Sequence, residues 1–549
     1  MRSPAAAVAW EFRQRHRWGL TALAGYLAVL AIVKLLIAER GQPVRLDSPV
    51  SFALVVVVPV TATFTYLLAV FSFGLSGDLA ARRSMYPARL FTLPVTTDAL
   101  ALWPMLYGAV AMLVLWLATR LLAIWPSGLE VPRLWPGLLA ASLLAWTQAL
   151  TWLPYGLAGL RVIAAVLCLC AIDTVVLLAL HFNAREPVML AITAPQLPLA
   201  YLVARFAVSR ARRGVVPDWR GAFARVAGAV QLAPRRRARF ASPEGAQAWF
   251  EWRRHGRSLP ALVAILLPFE LALLFAGENS EPFVFTVLLG VLLTPPALAA
   301  FAAATVARSG GSTRDAYGLT PFTATRPLTS PALVAAILKA SAWATAAAWL
   351  LVLVAVPAAL AWSGTGAMVI ERLRRIVAFI GAPRALVIAL LVFGGLLAST
   401  WKQLVQSLYI GLTGREWAVK GSVFLALSVV AVLGPVAAWL ADHADAQAAL
   451  WNGLPLILGV LVCLKLSTAA WVATRLHREG EGGRLLADRA LVLGAAGWCA
   501  VVLALYGLLA WLFSAPYFPR YLLGLIAILM VPLARISAAP LALAWNRHR

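Results

Sequence analysis

Apolar runs of about 20 residues recur along the whole chain, separated by short polar or basic intervals, as a hydrocarbon layer roughly 30 Å thick requires of spanning helices. Windows of about 19 residues predict helices near 18–38, 50–75, 98–123, 136–156, 161–182 and 187–207. After a polar interval they predict a second set near 259–277, 283–306, 331–361, 384–410, 417–441 and 449–474, then two more near 488–514 and 519–545. These fourteen spans leave no room for a soluble domain, so the expected fold is an all-α polytopic membrane protein. The first run ends in Glu39-Arg40 without a small-residue cleavage pattern, which predicts a retained helix rather than a signal peptide.

One interval departs from this alternation. Glu371-Arg372-Leu373-Arg374-Arg375 is basic, yet counting spans puts it outside the cell. Its apolar neighbours Val369, Ile370, Leu373, Ile376, Val377 and Ile380 recur at helical spacing. The segment is either an interfacial amphipathic helix or the product of a misplaced span boundary.

An apolar content of 62%, a mean hydropathy of +0.84 and a charged fraction of 13% exclude a soluble protein of this length. The net charge of +25 does not change that picture, because the 42 arginines and 5 lysines cluster between helices rather than in a nucleic-acid-binding domain. They fix orientation instead. Residues 210–257 hold 12 arginines against Asp218, Glu244 and Glu251, so this segment is expected in the cytoplasm, with both termini. The intervals carrying Arg82, Arg83 and Arg89, then Arg308, Arg314 and Arg326, then Arg475, Arg478 and Arg484 fall on the same side. Cys168, Cys170, Cys463 and Cys499 lie inside apolar runs, which suggests packing rather than disulfides or zinc. The six histidines are scattered and form no H-E-x-x-H motif, so no metal site is expected.

Three sequence elements recur in order. EFRQRHR, with Glu11, Arg13 and Arg17, returns as EWRRHGR, with Glu251, Arg253 and Arg257. LPVTTDAL from Leu93 pairs with RPLTSPAL from Arg326 at an offset of 233 residues, matching Pro94 to Pro327 and Thr96 to Thr329. WTQALTWLPYGLAG from Trp146 pairs with WKQLVQSLYIGLTG from Trp401, matching Gln148 to Gln403. Six spans separate the starts of the copies, so both have one orientation, a parallel repeat. The predicted organisation is a first repeat over 1–209, a basic linker over 210–247, a second repeat over 248–478 and an additional helix pair over 479–549.

These elements resemble the permease subunits of ATP-binding-cassette transporters of the type-2 exporter superfamily, in forms with two permease domains fused in one chain. Glu11-Phe12-Arg13 and Glu251-Trp252-Arg253 look like the amphipathic elbow helix with which such domains begin. LFTLPVTT and ATRPLTS are similar to the cytoplasmic coupling region that follows their second helix, and Lys339 sits where a lysine often follows its proline. The resemblance implies ATPase-coupling loops containing Arg82, Arg83, Arg89, Pro94, Arg314, Arg326, Pro327 and Lys339. It also implies a separate ATP-hydrolysing subunit, in two copies, that binds ATP and magnesium while this chain binds no cofactor. None of the five lysines follows a glycine, so the chain has no P-loop of its own. The expected localisation is the inner membrane of the cell, with the lipid bilayer as the other partner and no nucleic acid.

A proton-coupled secondary transporter is the alternative, with Asp173 and Glu270 as intramembrane carboxyls. Gln148 and Gln403 line a pathway or join helices in either case. A non-transporting membrane assembly protein is a third reading, one that does not need the duplicated loops.

Overall fold

Lipid offers no hydrogen bonds, so a chain that crosses it must satisfy its backbone internally. Every regular element among the described residues is accordingly a helix. The computed structural model describes residues 3–38, 58–72, 84–124, 131–156, 160–217, 240, 242–276, 280–306, 328–406, 408–413, 415, 440, 443–478, 485–513 and 519–547. Nine of the helices among these residues are long and apolar enough to cross a membrane. Their outward faces carry aliphatic side chains such as Leu350, Val354 and Leu456, exposed by 62%, 65% and 73%, a surface suited to lipid. This is an all-α, membrane-embedded protein. The predicted span near 417–441 lies outside the described residues.

The chain divides into two units, Met1–Arg236 with Lys420–Gln447, and Arg237–Val419 with Ala448–Arg549. The first contains α1 (Pro4–Ala38), α2 (Val58–Phe71), α3 (Thr97–Thr119), α4 (Trp135–Trp152), α5 (Leu160–His181), α6 (Glu186–Thr193) and α7 (Gln196–Arg212). Its core rests on small residues. Ala141, Ala145 and Ala149 recur every fourth position on α4, and Ala200, Ala204 and Ala207 line α7, all essentially inaccessible. Such stripes let helix backbones approach closely, where dispersion rather than the hydrophobic effect holds membrane helices together. At Gly108 a Cβ would come within 2.7 Å of Leu144 Cδ2 and 3.3 Å of Phe71 Cβ, so a side chain there would require Leu144 to shift where α2, α3 and α4 meet.

The second unit contains α8 (Pro243–Glu251), α9 (Ser258–Ala276), α10 (Glu281–Val306), α11 (Ser330–Trp362), α12 (Gly366–Ile380), α13 (Ala382–Val405), α14 (Leu408–Gly411), α15 (Ala444–Arg478), α16 (Asp488–Leu512), α17 (Arg520–Met530) and α18 (Ala534–Arg547). Leu259, Val263, Leu267 and Leu271 on α9 pack with Ala344, Ala348 and Trp349 on α11. Trp349 Nε1 donates to Thr400 Oγ1 on α13 at 3.0 Å, so its one polar atom is satisfied.

Several predicted elements differ. The first elbow is not a separate helix, because α1 runs unbroken from Pro4 through Glu11 to Ala38. The second is separate, since a π-helical turn over Trp252–Gly256 parts α8 from α9. The span expected at 187–207 is found as one apolar stretch, Glu186–Arg212, with a turn at Ala194-Pro195 between α6 and α7. The span expected at 519–545 is also two helices. Val531 precedes Pro532 and takes an extended conformation (φ −78°, ψ 115°), which ends α17. Residues 366–380 form a helix of their own, bracketed by Gly364 and Gly381 at φ +73° and +84°, values a side chain would resist. Arg372 and Arg375 on α12 pair with Glu281 in the first turn of α10, each at 3.3 Å, while Ile370 and Leu373 stay exposed. The amphipathic-helix reading thus holds over a misplaced boundary.

The break after α17 leaves carbonyls without intrahelical partners. Lys465 on α15 supplies them, its Nζ donating to Ile528 O at 2.6 Å, Leu529 O at 3.2 Å and Val531 O. Trp498 Nε1 on α16 adds a bond to Val531 O at 3.3 Å. An unsatisfied buried acceptor costs about 1–3 kcal/mol. Lys465→Met is therefore expected to destabilise the protein by at least that amount in a chemical-denaturation series in detergent, and Lys465→Arg by less.

Candidate functional site

Glu11 and Arg89, two of the predicted residues, meet at the segment that precedes α3. Residues 84–96 are held against the ends of three helices. Met85 N donates to Thr151 O at 3.2 Å and the Ser84 hydroxyl donates to Trp152 O, so the last carbonyls of α4 are met by the loop rather than by water. The chain then forms a 3₁₀ turn over Ala88–Thr92, with Leu90 buried beneath it.

Tyr86 fixes this turn to α3. Pro104 lies inside α3 and has no N–H, which removes the partner of the Leu100 carbonyl four residues earlier. Tyr86 Oη donates to that carbonyl at 2.9 Å. The Tyr86 ring stacks on Phe91 at 5.1 Å and meets Trp152 edge-on at 5.2 Å. Burial pushes the Tyr86 phenol above the ordinary tyrosine range, the Glu11 carboxylate adds to the rise and Arg212 opposes it. The hydroxyl therefore keeps its proton and remains a donor.

Charged contacts complete the arrangement. Arg89 on the turn pairs with Glu11 on α1, joining two residues that the sequence placed in different elements. Both side chains are partly exposed, so the pair orients more than it stabilises. Arg212, in the last turn of α7, donates from Nη1 to Val95 O at 2.9 Å and to Thr97 Oγ1 at 3.4 Å. Arg205 pairs with Asp98 in the first turn of α3. The tip, with Thr92, Leu93, Pro94 and Thr96, remains exposed. The loop is thus clamped at its base to α1, α3, α4 and α7 and open at its tip.

In the second unit, Thr329 occupies the N-cap of α11 as Thr96 does that of α3. Each threonine accepts a bond from the backbone N–H three residues on, at 3.4 Å in both cases. Arg547, in the last turn of α18, donates from Nη1 to Ser330 Oγ at 3.3 Å. Glu251 is buried and accepts from Gln247 Nε2 at 2.7 Å, while Arg253 lies 4.8 Å over the Trp249 ring. Arg82, Arg83, Arg314, Arg326 and Pro327 lie outside the described residues.

Arg13, Arg17 and Arg257 are exposed, as is Lys339 on α11. Gln148 is fully buried, and its Nε2 donates within the first unit to Phe71 O at 3.0 Å and Pro104 O at 3.3 Å, so it joins α2, α3 and α4. Gln403 is half-buried on α13 and Asp173 is exposed on α5. Glu270 on α9 accepts from the Thr294 hydroxyl on α10, and its other oxygen is buried without a hydrogen-bond partner. Among the described residues no group of three or more His, Cys, Asp or Glu side chains could hold a metal ion.

Sequence reasoning missed Tyr86, Trp152, Arg212 and Arg547. One signal was available for Tyr86: a proline inside a predicted helix frees a carbonyl and calls for a donor. Comparison with known protein families, with curated proteins and with solved structures finds no match for this chain.

The tyrosine–proline pairing makes a double-mutant cycle informative. Tyr86→Phe is expected to cost about 1–3 kcal/mol by stranding the Leu100 carbonyl, and clearly less in a Pro104→Ala background, where the helix supplies its own donor. Because its native pKa is raised, Tyr86 contributes fully below the unfolded tyrosine pKa of about 10. That contribution fades only as pH rises through the higher native value. Alkaline difference spectra should show Tyr86→Phe and the unsubstituted chain gaining the same tyrosinate absorbance near pH 10.

Proposed function

We propose that this chain is the membrane-spanning subunit of an ATP-binding-cassette exporter, with two permease units fused in tandem in the inner membrane and both termini in the cytoplasm. A separate ATPase subunit, in two copies, binds ATP and magnesium and docks on the cytoplasmic loops. The observation that carries this reading is the Arg89–Glu11 pair. It joins the two elements on which the resemblance rests, the elbow sequence and the loop after the second helix.

The rest of the loop supports the same role. Its base is tied to the ends of α3, α4 and α7, so closure of an ATPase beneath the exposed tip would turn the helices as a body. The chain acts as a transmission, with no chemistry of its own. The matching caps at Thr96 and Thr329 fit a second copy of the device.

One observation favours a second reading. Glu270 leaves a carboxylate oxygen unpartnered within a candidate membrane span, as a proton carrier in a secondary transporter would.

Purification in mild detergent from cells co-expressing the cognate ATPases separates these readings. The unsubstituted chain is expected to retain an ATPase, and a chain with Arg82, Arg83, Arg89, Arg314 and Arg326 all changed to Glu is expected to lose it. If nothing associates with the unsubstituted chain, the exporter reading fails. A proton-driven flux abolished by Glu270→Gln would then support the secondary transporter, and no flux at all would favour a membrane assembly protein.

A further inference from the structure

Two arginine contacts repeat at corresponding residues of the two units. Arg212, at the end of α7, reaches Thr97, one residue past the cap Thr96. Arg547, at the end of α18, reaches Ser330, one residue past the cap Thr329. Thr97 and Ser330 are separated by the same 233 residues as the sequence repeat.

The helices bearing these arginines correspond as well. Ala204, Ala207 and Val208 lie eight, five and four residues before Arg212, and all three are buried in a cluster with Leu100 and Ala101. Ala539, Ala542 and Leu543 lie eight, five and four residues before Arg547, and all three are buried in a cluster with Leu333 and Val334. Leu100 and Leu333, like Ala101 and Val334, are again 233 residues apart. Two separate coincidences, a polar contact and a packing register, therefore point to one equivalence.

Each arginine ends its own helix, where the dipole favours a cation, and carries that charge to the first turn of another helix. A cation held at the same place in both units suits recognition of an acidic surface.

We propose that α18 is the counterpart of α7, and that the second docking surface is formed by the exposed Thr329 and the arginine-bearing end of α18, facing carboxylates on the ATPase subunit. The second repeat is then discontinuous, with α15, α16 and α17 inserted before its last helix. The basic segment 475–484, which a contiguous repeat over 248–478 would present instead, takes no part. This inference rests on the exporter reading.

Native mass spectrometry of the full chain purified with its ATPase tests it by counting subunits. Arg212→Glu and Arg547→Glu should each reduce the complex from two ATPase copies to one, and the double variant should retain none. Arg475→Glu with Arg478→Glu should leave both copies bound. If Arg547→Glu elutes as an aggregate, Arg547→Gln carries the test, because it keeps a donor for Ser330 while removing the charge. Two copies retained by Arg547→Gln, or a copy lost on changing Arg475 and Arg478, overturns the assignment to α18 while the exporter reading stands. An unsubstituted chain that retains no ATPase overturns both.

Discussion

The polar backbone has to be satisfied where water is scarce, and in this protein distant residues do that work at the end of α4, at Pro104 in α3 and at the end of α17. The loop over residues 84–96 keeps its place because it is needed there. Its Ser84 and Met85 close the end of α4, and its Tyr86 supplies the bond that Pro104 denies to Leu100. The requirement of α3 and α4 for donors thus becomes the rigidity of residues 84–96.

Apolar packing follows from the same scarcity. Helices that gain little from leaving lipid must gain from touching, and the alanine stripes of α4 and α7 together with Gly108 bring backbones close enough for that. Buried polar side chains then act across the interfaces. Gln148 reaches carbonyls on two neighbouring helices, and Thr400 receives the indole of Trp349. These bonds fix which helices meet, while the aliphatic outer faces remain indifferent to their surroundings.

Class and approximate spans were legible in the sequence, because hydropathy is a property of neighbouring residues. The break at Pro532 was obscured because a window of about 19 residues averages over one proline. Continuous α1 and interrupted α8–α9 carry heptapeptides that differ at four of seven positions, and the π-helical turn falls inside the second, which has Gly256 where the first has His16. The partners of Tyr86 and Arg212 were hidden for another reason. Arg212 is 117 residues from Val95, and only the folded chain brings the two together.

Lys465 extends the theme to a place where the chain is not helical. Three carbonyls at the junction of α17 and α18 turn toward one ammonium group, as carbonyls turn toward a bound alkali-metal ion. Here the ion is tethered by its own side chain to α15. The junction consequently has a permanent occupant that cannot diffuse away, and the two short helices can meet at an angle without an ion or a water molecule having to be recruited each time the protein folds.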